Sequence, residues 1–305
     1  MLMPVETTKL APSPPKKISG QDPVYLKIRD VVYQASGIYH SEEKLYLLAA
    51  ACTRRMSGAK AEDAKQYLDV ISSPVTRVLE MRELLNEITI GETCLFRSGP
   101  QLQALQNVIL PEIIAAQSKI GLRKLRIWSA GCSTGEEPHT LSMFLLELTE
   151  TILKGWTFEI VATDLNDRSI ETAKAGIYGD YALRNTSELY KRKYFLPAGG
   201  DKLIAKPEVR SRITFSRVNL SDDSKMLFMK GMDLVFCCNV LIYFDVPSKR
   251  RVVQHFYSSL QSPGYFFLGA AESLYQVTDR FRLVHLPGTT TYLKRVPGAE
   301  GAAKP

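Results

Sequence analysis

The sequence predicts an α/β protein: a doubly wound, Rossmann-like sheet with a small inserted β-subdomain, preceded by a small all-helical domain. Three observations predict it. Residues 22–88 show only helical periodicity. Beyond residue 89, short apolar runs alternate with helical patterns, the texture of a parallel sheet flanked by helices. The first of those runs ends in a glycine-containing turn that opens a helix.

The elements follow in order. Residues 1–21 are rich in Pro, Lys, Thr and Ser and read as a disordered leader. Asp22 can cap a first helix with Pro23 at its first position, and Val24, Ile28, Val31 and Val32 recur on one face before Gly37. Ser41 is placed to cap a second helix with the face Leu45, Leu48, Cys52 and Met56. A third carries Ala64, Tyr67, Leu68 and Ile71. Ser73-Pro74 opens a fourth with Val75, Val78, Leu79 and Leu85. A helix is expected from Pro100 to about Ser118. Strands are expected at Leu125–Ser129, Phe158–Thr163, Ile213–Val218, Leu234–Cys238 and Tyr265–Leu268. Phe281 to Arg295 alternates around Pro287-Gly288 and reads as an edge hairpin. Residues 178–212 fit no strand–helix unit and read as the insertion, with a short hairpin around Gly199-Gly200. The expected division is therefore a leader at 1–21, a helical domain at 22–88, a sheet domain at 89–296 and a disordered tail at 297–305.

Composition narrows the class. The 305 residues suffice for about two domains. With 45% hydrophobic and 23% charged residues the chain has an ordinary globular composition. No apolar run reaches the roughly 18–20 residues of a membrane span, and residues 1–20 lack a signal-peptide core, so a cytoplasmic protein without membrane insertion is expected. Five cysteines without CxxC spacing exclude a disulfide scaffold or zinc knuckle, and the four histidines lie too far apart for ligand spacing, so no metal is expected. The net charge is +7, of which residues 168–230 hold +6 (13 basic, 7 acidic) and residues 1–90 only +1 (12 and 11). No basic-aromatic run accompanies it, so nucleic acid is not an expected partner.

Five segments carry candidate chemistry. Leu125 to Pro138 is a buried strand, a turn with Gly131 and Gly135, and a helix start, with the regular helix expected from His139 to Leu148. The spacing is GxxxG followed by Glu136-Glu137, not the GxGxxG of a pyrophosphate site, which disfavours a nicotinamide enzyme. Acids there would repel a phosphate and suit an ammonium, as in S-adenosylmethionine. Asp164, ending the second strand, can accept ribose hydroxyls or simply cap a helix. Asn219, after the third strand, is placed for adenine or for a turn. Asn239 and Tyr243 follow the fourth strand at its crevice end; adjacent Cys237 and Cys238 point to opposite faces and cannot chelate together. Arg97, in the segment Thr89 to Arg97, can clamp a carboxylate or stand as a surface cation.

Together the strings ETCLFR, WSAGCSTGEEP, ATDLN, SRVNL and FCCNVLIYF resemble, in order, the landmarks of the chemotaxis receptor glutamate methyltransferases, the CheR family. The resemblance covers about residues 24–295. It implies an S-adenosylmethionine-dependent methyltransferase that esterifies glutamate side chains of methyl-accepting chemotaxis receptors and releases S-adenosylhomocysteine. It implies cofactor contacts from Thr93, Arg97, Gly131, Glu137, Asp164, Asn219, Leu220, Cys238 and Asn239, with Glu137 on the amino group and Asp164 on the ribose. Arg97 and Tyr243 match positions beside the reactive methyl, and Arg54 and Arg55 belong to the receptor-facing helices. A monomer recruited to membrane receptor arrays is the implied working form. Three positions depart from the family pattern: Gly91 for Asn, Leu95 for Phe and Cys238 for Arg. They leave a second reading open, a cofactor-binding signalling module of the same fold with weakened catalysis.

Overall fold

The computed structural model describes residues 22–89 and 91–295. The expected leader and the tail at 297–305 lie outside the described residues. The chain packs as two compact units, residues 22–31 with 40–84, and residues 32–39 with 85–295.

The first unit is helical. Helix α1 (Pro23–Ser36) starts as expected, with Asp22 Oδ1 accepting the Val24 amide at 2.9 Å. Helix α2 (Leu45–Met56) buries Leu45, Leu48 and Cys52. Ser41 does not cap it: a 3-10 turn at Glu42–Lys44 intervenes, and the serine hydroxyl makes no capping bond. Helix α3 (Ala64–Ser72) is capped by Asp63 and buries Tyr67 and Ile71. Helix α4 (Arg77–Ile88) corrects the expected face. Val75, Val78 and Leu79 are exposed, at 87%, 74% and 70%, and the buried stripe is Glu80, Met81, Leu84 and Leu85. A glutamate can enter that stripe because Arg55 grips it with two bonds, Nε to Oε1 at 3.0 Å and Nη2 to Oε2 at 2.9 Å, while the Tyr67 hydroxyl donates at 2.8 Å.

The second unit is a seven-stranded sheet in the order β6-β2-β1-β7-β8-β10-β9. These are β1 (Lys124–Ala130), β2 (Thr157–Asp164), β6 (Ile213–Arg217), β7 (Met232–Cys237), β8 (Leu260–Leu268), β9 (Phe281–Leu286) and β10 (Thr289–Lys294). The first five are parallel and the terminal hairpin is antiparallel. Alternation along β1 sends Leu125 and Ile127 into one apolar cluster and Trp128 and Ala130 into the other, so the sheet is covered on both faces. Strand order reverses between β1 and β7, which opens the ligand crevice at their carboxyl ends.

The helix expected from Pro100 is one run of three parts: α5 (Gly99–Ala104), a π-turn (Leu105–Ile109) and α6 (Leu110–Ser118). Pro111 lacks an amide and crowds the preceding turn, and the wider π geometry accommodates it. At one end Gln101 Nε2 donates to the Leu268 carbonyl at 2.7 Å; at the other Gln117 donates to Asp233, which also holds the Arg126 amide at 2.8 Å.

The insertion forms its own three-stranded sheet, β3 (Ile177–Tyr178), β5 (Leu203–Ala205) and β4 (Phe195–Pro197), with helix α10 (Glu188–Tyr194). Its core joins Tyr178, Leu183, Tyr194, Phe195, Ala205 and Val209 to Leu95 and Met143. The departure at Leu95 is thus a packing matter: the side chain is fully buried in that junction.

Candidate active site

The turn after β1 is built by glycine. Gly131 has φ +77°, and a Cβ there would stand 2.4 Å from Val240 Cγ2, so bare backbone lets the loops after β1 and β7 meet across the crevice. The Gly131 and Cys132 amides both donate to the Thr163 carbonyl, at 2.7 and 2.9 Å, and draw the turn to the end of β2. Helix α7 (Glu136–Leu148) starts three residues earlier than expected, with Gly135 as a left-handed cap at φ +92° and Pro138 in the first turn, where its missing amide costs nothing.

The two glutamates of that turn differ. Glu136 accepts from the Thr134 hydroxyl at 2.7 Å and is buried. Glu137 points back to the sheet, where the hydroxyl of Ser129, buried in β1, donates to Oε1 at 2.7 Å. Burial lifts the Glu137 carboxyl above the ordinary glutamate range; Ser129, the Cys238 thiol and the Arg97 charge oppose the rise. Among the described residues no Lys, Arg or His lies within ion-pair distance of Glu137. A half-buried carboxylate with a neutral hydroxyl donor and no basic partner suits a cation.

Asp164 ends β2 with Oδ2 accepting the Ser133 amide and Oδ1 the Asn166 amide, each at 2.8 Å. Each oxygen keeps a lone pair for a further donor. Burial raises this carboxyl too, against those backbone bonds. Beside it the Ser133 hydroxyl is buried without a partner, as is the Ser221 hydroxyl that follows Leu220. Gly91 faces Ser133: a Cβ would come within 2.7 Å of its Oγ, so the departure from Asn matches the space.

The Asn219 side chain is partly engaged. Its Nδ2 donates to the Ala35 carbonyl at 2.9 Å and its Oδ1 accepts the Ser221 amide at 3.0 Å. One Nδ2 hydrogen and one Oδ1 lone pair, together with the backbone, remain for a ligand. Leu220 is buried in one apolar cluster, and its carbonyl lies 2.9 Å from His255 Nδ1. Cys237 and Cys238 do face opposite clusters. The Cys238 thiol lies 3.8 Å from Gln101 Oε1, and burial pushes it well above the ordinary thiol range.

The turn after β7 holds Asn239 in the left-handed region, φ +63°. Glu272, from the loop after β8, fixes it. Its Oε2 accepts the Asn239 amide at 2.6 Å and the Gly269 amide at 2.9 Å, and its Oε1 the Ile242 amide at 3.2 Å. Glu272 and Ser129 escaped the sequence reading. The signals were an acid just past a strand's carboxyl end, as at Asp164, and a hydroxyl within an apolar strand.

Tyr243 ends a 3-10 turn (Leu241–Tyr243), and burial and the Glu272 charge raise its hydroxyl above the ordinary range while Arg97 lowers it. Arg97 is exposed and, among the described residues, bonds only the Glu92 carbonyl, at 3.2 Å, which leaves most of its guanidinium fork available. Its charge acts on both Glu137 and Tyr243. Thr93 is half-buried on the same segment. In the helical unit Arg55 is consumed by Glu80, which removes its guanidinium as a free receptor contact; Arg54 is exposed.

The arrangement fits a ligand with an ammonium for Glu137, hydroxyls for Asp164 and no phosphate. Among the described residues no group of His, Cys, Asp and Glu is arranged to hold a metal, and no helix is long and apolar enough to cross a membrane.

Comparison with known proteins agrees with this site. Residues 91–290 match the CheR methyltransferase SAM-binding domain, and residues 24–89 match its all-alpha domain. Chemotaxis protein methyltransferase 2 of Vibrio cholerae is 30% identical over 274 residues, 90% of this chain and 93% of that protein. Chemotaxis protein methyltransferase 1 of Pseudomonas aeruginosa is 35% identical over 252 residues, covering 81% and 89%. Chemotaxis protein methyltransferase Cher2 of Pseudomonas putida is 33% identical over 261 residues, covering 85% and 93%.

Proposed function

This chain belongs to the CheR methyltransferase family, and we propose that it transfers methyl groups from S-adenosylmethionine to glutamate side chains of methyl-accepting chemotaxis receptors. The products are glutamyl methyl esters and S-adenosylhomocysteine. The protein works in the cytoplasm as a monomer recruited to receptor arrays. One observation carries the cofactor reading: the half-buried carboxylate of Glu137, fixed by Ser129 and, among the described residues, facing no basic side chain within ion-pair reach.

Bound S-adenosylmethionine supplies an electrophilic methyl on a sulfonium. The chain's residues do the rest. Glu137 holds the amino group and Asp164 the ribose, while Gly131 lets the backbone approach. Thr93, Arg97, Asn219, Leu220, Cys238 and Asn239 complete the cofactor wall. An acceptor glutamate is already ionised at neutral pH, so no general base is needed. Arg97 steers that carboxylate by a two-point clamp, and Tyr243 shapes the transfer site. Holding the reacting groups close and in line supplies several kcal/mol of the barrier reduction, of a possible ~7–11.

The test is transfer of radiolabelled methyl to receptor-containing membranes, with base-labile release as the mark of an ester. Arg97→Ala is expected to lose transfer far more than it weakens S-adenosylhomocysteine binding by calorimetry. Wild-type protein that binds the product yet labels no receptor would instead be the weakened signalling module.

A further inference from the structure

A buried polar cluster stands behind the glycine turn, among groups that the cofactor does not use. Tyr178, on strand β3 of the insertion, is 3% exposed, yet its hydroxyl leaves the insertion's own core and donates to the Thr134 carbonyl at 3.1 Å. It also lies 2.9 Å from Nδ1 of His139 on helix α7. Two buried polar side chains, 39 residues apart, thus converge on one stretch of the turn.

The protons can be placed. His139 Nδ1 is 2.7 Å from the Gly135 carbonyl, and a carbonyl only accepts, so Nδ1 carries the hydrogen. Burial keeps the ring neutral at ordinary pH, so Nε2 is bare, in keeping with its burial without a partner among the described residues. A protonated Nδ1 cannot take the Tyr178 proton, which therefore goes to Thr134. Burial and the Glu136 charge push the Tyr178 hydroxyl well above the ordinary tyrosine range, so it keeps that proton to donate.

The bond falls where the turn is weakest. Gly135 has φ +92° and no side-chain cap. Glycine accepts either sign of φ, so the Thr134–Gly135 peptide can turn over at little steric cost, the rotation that separates type I from type II turns. Two bonds oppose it. The Gly135 amide donates to the Cys132 carbonyl at 3.0 Å, and the Tyr178 hydroxyl holds the opposite edge of the same peptide. Glycine also makes room for that hydroxyl: a Cβ at 135 would stand 3.0 Å from Tyr178 Oη and 2.7 Å from Ala173 Cβ. Helix α7 begins at the next residue and carries Glu137 in its first turn, so this peptide sets its entry.

The ring itself is placed by the insertion. Tyr178 pairs with Leu203 of β5, packs with Leu183 and Tyr194, and meets Phe195 edge-on at 6.5 Å.

We infer that Tyr178 is a positioning residue: through its hydroxyl the insertion locks the Thr134–Gly135 peptide in the orientation that binds S-adenosylmethionine. This rests on the cofactor reading of the turn and Glu137, and is independent of which protein accepts the methyl.

Tyr178→Phe keeps the ring and removes only the hydroxyl. Calorimetry on the full-length protein is expected to show S-adenosylhomocysteine affinity reduced at least about fivefold, the loss of one buried hydrogen bond. The S-adenosylmethionine KM should rise in step, with kcat unchanged. Val209→Ala, which loosens the same apolar core and leaves the hydroxyl, is expected to lower the urea midpoint with product affinity unchanged. A further measurement needs no variant. Coupling is reciprocal, so saturating S-adenosylhomocysteine should slow hydrogen exchange at residues 177–178 and 203–205 of the wild-type protein at least about fivefold, and should not do so in Tyr178→Phe. Wild-type product affinity in Tyr178→Phe would overturn the proposal, as would exchange in the wild-type insertion that is indifferent to the product. Wild-type protein that binds no S-adenosylhomocysteine would overturn the cofactor reading itself. The hold on the turn would then be read from exchange at residues 133–137, faster in Tyr178→Phe where the hydroxyl fixes the peptide and unchanged where it does not.

Discussion

Glu272 holds the backbone amide of Asn239 at 2.6 Å, across 33 residues of sequence, and by that bond fixes the turn that follows the fourth parallel strand. The same carboxylate takes two more amides, Gly269 and Ile242. It organises the loops after β7 and β8 without standing among the groups assigned to the cofactor.

Glu272→Gln is therefore expected to behave as a disruptive change despite its shape. An amide offers one acceptor oxygen where the carboxylate offers two, so at least one backbone N–H would face an NH2. An unsatisfied buried group costs roughly 1–3 kcal/mol. Thermal unfolding should shift down by several degrees, and calorimetry should show weaker S-adenosylhomocysteine binding. An unchanged melting temperature would mean that the three amides find other partners.

Glu137 should make cofactor binding acid-sensitive. Its ionised form is the one that attracts an ammonium, and burial raises its carboxyl above the ordinary glutamate range. Affinity for S-adenosylhomocysteine should hold at neutral pH and fall on acidification, beginning above the range in which a solvated glutamate titrates. Glu137→Gln should lose about 1.5–3 kcal/mol of binding, roughly ten- to a hundredfold, and show a shallower acid fall-off, since Asp164, also raised by burial, still titrates. Calorimetry across the pH range reads both.

His139 should make the fold acid-sensitive over a different window. It is fully buried, with Nδ1 2.7 Å from the Gly135 carbonyl and the ring stacked on Phe215. Burial lowers it from 6.5 to about 4. Below 6.5 the unfolded chain takes up the proton and the folded chain does not. Stability is thus fully present above that pH and declines until about 4, by roughly 3 kcal/mol at most. The urea midpoint of His139→Gln should lack this component of the slope, whatever its absolute stability.

Gly131→Ala should destabilise the crevice itself. The left-handed backbone costs an L side chain about 1–2 kcal/mol, and Val240 must move, a further cost of about 1–3 kcal/mol. Equilibrium denaturation should show a loss of roughly 2–5 kcal/mol, together with weakened product binding.

Much of the sheet was legible because its strands are short apolar runs bounded by polar turns, and β7 buries every residue. The glycine turn, Glu137 and Asp164 were legible for a related reason: in a doubly wound sheet, function sits at the carboxyl ends of strands. What escaped depended on partners distant in sequence. The stripe of α4 was misread because Glu80 looks solvent-facing until Arg55 and Tyr67 are known to meet it. Asn219 looked wholly unengaged because nothing in its own segment reveals the Ala35 carbonyl, 184 residues away, which takes one of its two N–H groups. Ser41 was misplaced as a cap because a 3-10 turn and a helix start share the same local signals.

The π-turn at Leu105–Ile109 sets a phase relation. Gln101 and Gln117 are sixteen residues apart. On an unbroken α-helix at about 100° per residue they would lie about 160° apart, one facing the sheet and one turned away. The extra residue in the π-turn brings them to within about 60°, so both glutamines reach inward. Gln101 then meets the end of β8 beside Cys238, and Gln117 meets Asp233 at the start of β7. Removing one residue from this turn would leave the glutamines fifteen residues apart on a regular helix, again about 60° apart, so the π-turn is the means by which one extra residue is carried without turning either end away from the sheet.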